Sequence, residues 1–241
     1  MESQYPIRIN KYLAIRNYST RVGGDDLVKK GLVFINGIKA RLGDQVYEGD
    51  EVIVSRSHKV KTEYVYYAYN KKMGVSTNKD STAKDILSVT KFPVKVFPIG
   101  RLDKDSHGLI IMTDDGRVTD RLLSPLYVHE KEYVVRVTPN FSPKFIELMS
   151  KGVQFDSFKS KHCKVWPAEI RGKESKNTFH IILTEGKKRQ IRRMCEALHH
   201  EVTDLKRIRV MNVVTGNIEE GSYREIKDKE LNVFLKSLKL I

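Results

Sequence analysis

The chain has 241 residues, of which 40% are hydrophobic and 31% are charged, and these proportions exclude pervasive disorder. Lysine and arginine number 44 against 30 aspartates and glutamates; the resulting net charge of +14 favours nucleic acid as a partner over a basic surface that serves solubility alone. No apolar run reaches the roughly 18 residues of a membrane span, and the stretch MESQYPIRIN lacks a hydrophobic signal core, so we expect a cytoplasmic protein without a membrane anchor.

The first predicted unit is a small module of helices and strands. Apolar residues from Ile9 onward recur at roughly helical spacing and predict a first helix. Asp25 or Asp26 is positioned to cap a second short helix that ends at Gly31. A unit of this size buries only a modest core, so we interpret it as a docking module.

A β-hairpin and a polar linker are predicted to complete this module. Asn36-Gly37 lies between two apolar runs and predicts a two-residue turn, because both turn positions require positive φ angles. Residues 57–62 are polar and basic without periodicity, which indicates a linker. We therefore divide the chain into residues 1–56, the linker, and a larger domain of residues 63–241.

Strands outnumber helices in the larger domain, and the two do not alternate regularly. The fold class expected is α+β, built on a mixed, mainly antiparallel sheet with flanking helices. The predicted strands are EYVYYAYN, VKVFPI, GLIIMT, EYVVRVT, CKVWPAEI, FHIILT and LKRIRVMNV. The predicted helices are STAKDILSV, VTDRLLS, SPKFIELMS, KRQIRRMCEAL and ELNVFLKSLKLI.

The stretch GRLDKDSHGL carries two aspartates, Asp103 and Asp105, on either side of a lysine. It is either a charged surface turn or a loop that presents a carboxylate for chemistry. The residues next to it in sequence do not rank the two aspartates, so the choice depends on the rest of the chain.

A cluster of cations opens the predicted helix KRQIRRMCEAL. No acidic residue lies among them, and they would repel one another unless an anion compensates. A solvated basic face is the alternative to a phosphate-binding track, and the basic strand that follows the helix favours the track. The cluster consists of Lys187, Lys188, Arg189, Arg192 and Arg193.

Several kinds of chemistry are excluded by missing motifs. HHE at residues 199–201 offers the H-x-E of a zinc deaminase, but the accompanying P-C-x-x-C is absent. No nucleotide-binding glycine loop and no G-x-S-x-G occurs. The histidines show no ligand spacing, and Cys163 and Cys195 form no CxxC, so we expect reduced thiols and no metal. A carboxylate near cations and aromatic residues remains as the candidate chemistry.

Three stretches together carry a resemblance to a known family. GRLDKDSHGLIIMTDDG, KEYVVRV and LTEGKKRQIRRMCEALHHEVTDLKRIRVMNV resemble, in this order and spacing, the motifs of RsuA-type pseudouridine synthases, closest to their RluF branch. The N-terminal module resembles the alpha-L RNA-binding motif of such enzymes, so essentially the whole chain is covered. The resemblance implies isomerisation of uridine within RNA, in which the base is detached from its ribose, turned and reattached through carbon, without cofactor or metal.

The resemblance also implies roles for individual residues. Asp103, directly after GRL, is the catalytic carboxylate, which ranks it above Asp105. Tyr133 of KEY stacks on the flipped base and is also a candidate to shuttle a proton. Arg192 of RQIRR pairs with Asp103 and is preferred for this over Arg189, which could serve a phosphate instead. The implied substrate contacts are Arg101, Leu205 in the pocket wall, the basic residues Lys187, Lys188, Arg189 and Arg193, and Arg21 in the N-terminal module.

Elementary physical chemistry agrees with these roles. A carboxylate acts as a nucleophile only while ionised, and a guanidinium partner offsets the desolvation that would otherwise raise its pKa. Arginine suits this better than lysine because its planar fork can form two parallel bonds to a carboxylate. Extracting a base from its stack costs a few kcal/mol, and stacking on a tyrosine returns about 1–3 kcal/mol.

The chain departs from the family pattern at three places. Lys72 in NKKMG replaces the proline of the usual NKPxG. In the N-terminal module Arg21 is kept, but Gly23 and Gly24 should each weaken the second helix by roughly 1 kcal/mol relative to alanine. We therefore hypothesise that this module binds RNA more weakly than its relatives do. His199 stands where relatives usually carry a glycine that ends the helix.

The sequence as a whole predicts a two-domain RNA pseudouridine synthase. Its expected substrate is a hairpin of large-subunit ribosomal RNA, with tRNA as a further candidate, and we expect a cytoplasmic monomer. The alternative from another class is a non-catalytic RNA-binding or ribosome-assembly protein that keeps the fold and the basic track. A glycosidase that releases the base would share the carboxylate chemistry.

Overall fold

The computed structural model describes residues 5–16, 18–55, 63–78, 84–124 and 127–241. The linker predicted at residues 57–62 lies outside the described residues. The described residues form one hydrophobic core in the N-terminal module and further cores in the larger domain. No helix in these ranges is long and apolar enough to cross a bilayer.

The N-terminal module packs two helices against short strands. Its second helix begins after Thr20, whose side chain accepts a hydrogen bond from the Gly23 amide at 3.0 Å, as a residue in extended backbone before a first turn does. The prediction that Asp25 or Asp26 caps this helix is wrong, because both lie inside it. The elements are β1 (Ile7–Arg8), α1 (Ile9–Ile15), α2 (Arg21–Lys29), β2 (Val33–Ile35), β3 (Ile38–Lys39), β4 (Gln45–Val46) and β5 (Val52–Val54).

The predicted hairpin is confirmed, and one of the two unusual glycines has a packing role. Asn36 and Gly37 join β2 to β3 with φ angles of 49° and 78°, the left-handed region that this turn requires. Gly24 is buried where α2 crosses α1, and a Cβ there would lie 3.2 Å from the Asn10 Cα. Close helix packing therefore accounts for Gly24.

The larger domain combines one large sheet with helices on both of its faces. Its strands are β6 (Tyr66–Lys71), β7 (Phe97–Ile99), β8 (His107–Thr113), β9 (Lys131–Thr138), β10 (Gln154–Phe155), β11 (Phe158–Lys159), β12 (Lys164–Ile170), β13 (Lys173–Leu183), β14 (Glu201–Val210), β15 (Val213–Val214) and β16 (Tyr223–Glu225). Its helices are α3 (Ile86–Val89), α4 (Gly116–Leu123), α5 (Pro143–Lys151), α6 (Gln190–Ala197) and α7 (Asp228–Ser237).

The main sheet has nine strands, in the order β12-β13-β9-β14-β8-β6-β16, with β15 paired to β14 and β7 paired to β8. Within the described sheet β14 and β8 run parallel, and the other strand pairs are antiparallel. The expected fold class, α+β on a mixed, mainly antiparallel sheet with flanking helices, is confirmed.

Alternation along β8 separates the two faces of the sheet. Leu109 and Ile111 pack into a core with residues of α4 and α7, whereas Ile110 and Met112 point to the opposite face. On that opposite face Tyr133 of β9 contacts two cores, the one around Ile110 and the one filled by α5 and α6. Tyr133 therefore lies at the junction between the two halves of this face.

The parallel strands β14 and β8 position the segments that carry the family motifs. Lys206 of β14 is in register with His107 of β8, so the two strands begin at the same end of the sheet. The segment before β8 is the GRLD loop, residues 100–106, and the segment before β14 is α6. The topology therefore brings α6 next to the GRLD loop.

Candidate active site

The GRLD loop is constrained by glycines at its two ends. Gly100 has a φ of 74°. Gly108, just beyond the loop, has a φ of 100°, and a Cβ there would lie 2.2 Å from the Arg207 carbonyl oxygen. A side chain at position 108 would therefore push β14 away from the loop. Arg101, the predicted substrate contact, is exposed.

Asp103 sits in the middle of this loop between two anchored residues. The Leu102 amide donates to the Thr77 hydroxyl at 3.0 Å, and that hydroxyl donates to the Leu102 carbonyl at 2.6 Å. The Asp103 carbonyl accepts a hydrogen bond from the Ser106 amide at 3.0 Å. The Asp103 side chain is half-buried, and within the described ranges no side chain forms a hydrogen bond or ion pair with it.

Arg192 contacts Asp105, and the predicted pair with Asp103 is wrong for this structure. Its Nε lies 3.2 Å from the Asp105 carboxylate, and one of its terminal nitrogens donates to the Asp105 carbonyl at 2.8 Å. The other donates to the Val202 carbonyl on β14 at 2.9 Å. The register of the parallel pair places α6 over the end of the loop, and this explains why the guanidinium binds residue 105. Arg192 therefore ties the loop to β14.

Arg189 reinforces the same connection from the start of α6. Its guanidinium donates to the Asp105 carboxylate at 2.9 Å, so Asp105 bridges Arg189 and Arg192. Arg189 has a φ of 53°, a left-handed conformation that costs a non-glycine residue about 1 kcal/mol or more. The backbone thus holds Arg189 in an unfavourable conformation at the point where it meets the loop.

Tyr133 and Leu205 lie on neighbouring central strands. Tyr133 of β9 is in register with Arg207 of β14, and Leu205 is in register with Val135. Leu205 is buried in the core that α5 and α6 fill, and Tyr133 is half-buried at the edge of that core. Tyr133 therefore packs against the core that contains Leu205.

Buried cations next to the GRLD loop were missed by sequence reasoning. Lys71, the first lysine of NKKMG, is fully buried, and burial lowers its pKa from 10.5 to about 8, while the charges of Asp105 and Asp103 raise it. Arg207 is also buried, and its Nε donates to the Leu109 carbonyl at 2.7 Å. A positive charge beneath the loop is thus supplied from inside the domain.

Lys71 also shapes the segment that lies against the loop. Its ammonium group donates to the Lys72 carbonyl at 3.0 Å and to the Val75 carbonyl at 2.6 Å, which closes a tight turn. From this turn the Gly74 amide donates to the Lys104 carbonyl at 2.8 Å. The position of Lys71 in a family motif was the signal that could have identified it.

The remaining cations of the basic cluster differ in their availability. Lys187 and Lys188 are exposed, and the Lys187 amide is held by the buried Gln190 side chain at 3.0 Å. Arg193 forms an ion pair with Asp156 and lies over the Phe155 ring. Lys187 is exposed but its ammonium lies 5.0 Å from the centre of the Phe158 ring, so Lys188 is presented to solvent most openly, whereas Arg193 is already paired with a carboxylate within the protein.

Arg21 lies at a cavity of the N-terminal module. The cavity has a volume of about 310 Å³, and Arg8, Lys11 and Arg21 contribute cationic side chains to its lining. Three cations around one concave surface suit a phosphate group.

Metal ligands and reactive thiols are not found at the candidate site. Among the described residues no group of three or more histidine, cysteine or acidic side chains is arranged to hold a metal. Burial raises the pKa of Cys163 to about 11 and that of Cys195 to about 12, so both thiols stay protonated at neutral pH.

Comparison with known families assigns the two parts of the chain. Residues 64–197 match the family model for RNA pseudouridylate synthases, and residues 7–52 match the S4 domain. The first match covers more than half of the chain. The chain belongs to the RNA pseudouridine synthase family. It is an isomerase that acts on RNA, and the matched segment contains Asp103, Tyr133 and Arg192.

Individual relatives agree with this assignment. The synthase is 40% identical to the dual-specificity RNA pseudouridine synthase RluF of Salmonella typhi, over 93% of this chain and 77% of that protein. It is 29% identical to the ribosomal large subunit pseudouridine synthase B of Bacillus subtilis (strain 168), over 93% of each chain. A crystal structure of a pseudouridylate synthase superposes with a TM-score of 0.67 and 25% identity, covering 96% of this chain and 99% of that one.

Proposed function

We propose that this pseudouridine synthase modifies a uridine in a hairpin of large-subunit ribosomal RNA, and that a second RNA, such as a tRNA, is also a substrate. The name of the Bacillus subtilis relative supports the ribosomal substrate, and the dual specificity named for RluF supports the second one. We further propose that the synthase is a cytoplasmic monomer with domains at residues 1–56 and 63–241.

The observation that carries the proposal is the setting of Asp103. The GRLD loop presents the Asp103 carboxylate free of any partner among the described side chains, near the charge of the buried Lys71, and Arg192 holds Asp105 two residues further on. A free, half-buried carboxylate can reach a substrate, and the buried Lys71 supplies positive charge near it. A non-catalytic RNA-binding protein would not need an anchored loop whose central carboxylate binds no other group of the protein.

The proposed reaction rearranges one nucleotide. The bond between N1 of uracil and C1′ of ribose breaks, the base turns, and a bond forms between C5 and C1′. The proton on C5 is lost and N1 gains one, so the mass of the RNA is unchanged. Asp103 assists this exchange through its carboxylate, Tyr133 stacks on the flipped base, and Leu205 walls the pocket.

Arg192 has a different proposed role from the one implied by the family resemblance. Because Arg192 binds both the carboxylate and the backbone carbonyl of Asp105, it fixes the end of the GRLD loop and contributes positive potential. The exposed cations Arg101, Lys187 and Lys188 then contact phosphates of the RNA. Arg189 can exchange its half-exposed pair with Asp105 for a phosphate.

Pseudouridine mapping of total RNA, with and without this protein, tests the proposal. A pseudouridine in large-subunit RNA that disappears on deletion and returns on complementation is the expected result. Mass analysis of the modified fragment should give the mass of the unmodified one. Free uracil would instead indicate a glycosidase, and an unchanged pseudouridine map would overturn the proposed activity.

A further inference from the structure

Thr77 lies directly against the residue that precedes Asp103. It is 5% exposed and belongs to the segment after β6, far from the GRLD loop in sequence. Its hydroxyl accepts from the Leu102 amide at 3.0 Å and donates to the Leu102 carbonyl at 2.6 Å. One side chain therefore satisfies both backbone groups of the residue on the N-terminal side of Asp103.

The Leu102 carbonyl belongs to the peptide unit that joins Leu102 to Asp103. A hydrogen bond to that oxygen fixes the plane of this unit, and the bond from the Leu102 amide fixes the unit before it. The Ser106 amide, which donates to the Asp103 carbonyl at 3.0 Å, restrains the following peptide unit, and the three bonds together limit the direction of the Asp103 Cα–Cβ bond. Thr77 thus controls where the carboxylate points without contacting it.

Thr77 can act in this way because its own position is fixed on two sides. Before it in the chain, Val75 is buried and its carbonyl is held by the Lys71 ammonium at 2.6 Å. The Ser76 amide donates to the Lys84 carbonyl at 2.9 Å, and the Ile86 amide donates to the Ser76 carbonyl at 3.1 Å. The backbone directly before Thr77 is therefore held in place by hydrogen bonds.

From this geometry we infer that Thr77 is a positioning residue for the reaction, because its hydroxyl clamps the Leu102 backbone and thereby sets the direction of the Asp103 carboxylate. The inference rests on the proposed role of Asp103. It identifies a residue outside GRLD, KEY and RQIRR whose hydroxyl is required for catalysis, and whose loss affects the chemical step instead of RNA binding.

Three substitutions separate this role from a merely structural one. Thr77→Val keeps the shape of the side chain and removes both hydrogen bonds, and Thr77→Ala removes the hydroxyl without added bulk. Thr77→Ser keeps the hydroxyl. Thr113→Val is a matched control, because the buried Thr113 hydroxyl also makes two bonds, to the Val65 carbonyl at 2.5 Å and from the Asp115 amide at 3.0 Å, at the far end of β8.

Single-turnover assays with excess enzyme are run on total RNA from cells that lack the protein. The limiting rate reports the chemical step, and the enzyme concentration at half-saturation reports RNA binding. We expect Thr77→Val and Thr77→Ala to lower the limiting rate on the order of 10²-fold at unchanged half-saturation, the cost of misplacing a reacting group by about 1 Å. Thr77→Ser should restore most of the rate, and Thr113→Val should lower thermal stability but not the rate of the folded enzyme.

The outcomes that would overturn the inference are distinct from failure of the proposed function. Wild-type rates for both Thr77→Val and Thr77→Ala, with Asp103→Asn inactive, would leave Asp103 catalytic and remove the role of Thr77. A rate loss as large in Thr113→Val as in Thr77→Val would mean that only general stability is involved. Activity in Asp103→Asn would instead contradict the proposed function itself.

Discussion

The Arg192 guanidinium contacts both the carboxylate of Asp105, at 3.2 Å, and the backbone carbonyl of Asp105, at 2.8 Å. Asp103 is left without an ionic partner among the described residues. The family's arginine is therefore a support of the loop end in this structure. The cations near Asp103 act on its carboxylate through their charge and not through a direct contact. The loop thus carries one bound aspartate and one free aspartate.

Replacing Arg192 with lysine should disable the loop although the charge is kept. Lysine cannot reach the Asp105 carboxylate, the Asp105 carbonyl and the Val202 carbonyl together, so at least one buried acceptor loses its bond at a cost of about 1–3 kcal/mol. We expect Arg192→Lys to lower both the melting temperature and the rate of pseudouridine formation. Arg193→Lys is the control on the same helix, and an equal loss there would contradict the prediction.

Replacing Asp103 with asparagine should abolish pseudouridine formation and leave RNA binding nearly intact. The amide has almost the same shape as the carboxylate but carries no negative charge and is a poor nucleophile. Titration with labelled RNA and quantification of pseudouridine measure the two effects separately. Asp105→Asn should weaken the Arg192 contact yet keep measurable activity, so a more severe defect there than in Asp103→Asn would reverse the ranking of the two aspartates.

Lys71 should make stability depend on pH in the alkaline range. Its pKa falls from 10.5 in the unfolded chain to about 8 in the folded protein, because burial disfavours the charged form. Between pH 8 and pH 10.5 the unfolded state binds more protons than the folded state. The free energy of unfolding of the wild type, measured relative to that of Lys71→Met, should therefore rise by about 3 kcal/mol across this range. Below pH 8 this difference should be constant.

Urea denaturation of both proteins at several pH values measures the effect of Lys71. Lys72→Met is the matched control, because Lys72 is the exposed neighbour of Lys71 in the same motif. The Lys72 variant should follow wild type across the whole range. Parallel pH profiles for wild type and Lys71→Met would show that Lys71 keeps its ordinary pKa.

Affinity for RNA should fall steeply with salt, because several phosphates are neutralised. Lys188→Ala should reduce the slope of log affinity against log salt by about 1, as expected for the loss of one phosphate contact. Arg193→Ala should change it less, since Arg193 is paired with Asp156 in the free protein. A salt-independent affinity, or a larger effect of Arg193, would argue against the proposed track.

His199 should be a site where glycine stabilises the protein. It follows α6 with a φ of 60°, and the amides of His199 and His200 close the helix on the carbonyls of Glu196 and Cys195 at 2.9 Å. Glycine adopts this conformation without strain, so His199→Gly should raise the free energy of unfolding by about 0.5–1 kcal/mol.

His200→Gly serves as the control for His199→Gly. The His200 ring lies 4.3 Å from the Phe145 ring and hydrogen-bonds the Leu198 carbonyl at 2.6 Å, so its loss should destabilise the protein. Chemical denaturation measures both variants. Equal destabilisation by the two glycines would mean that His199 makes a contact that outweighs its backbone strain.

Local signals in the sequence predicted much of the fold. The Asn36-Gly37 turn follows from backbone sterics, and the strands of the larger domain follow from apolar runs, so both are recoverable from short windows. The cap of α2 was misassigned because Thr20 and Asp25 are both good capping residues. The sequence does not say which of the two begins the helix.

The candidate site was predicted less completely, because its contacts join distant segments. Whether Arg192 meets Asp103 or Asp105 depends on the register between β14 and β8, which no local pattern specifies. In the sequence Lys71 looks like any solvent-exposed lysine. Only its burial in the fold distinguishes it. Thr77 is an ordinary threonine until Leu102 lies against it.

The parallel pairing of β14 with β8 also sets the time at which the enzyme can become competent during its synthesis. Parallel strands cannot be joined by a short hairpin, and about a hundred residues separate the start of β8 from that of β14. A nascent chain that has not yet released β14 from the ribosome has GRLD but nothing to hold it beside α6. We therefore expect pseudouridine formation only from a chain whose β14 has left the ribosome, and none from a partly translated chain.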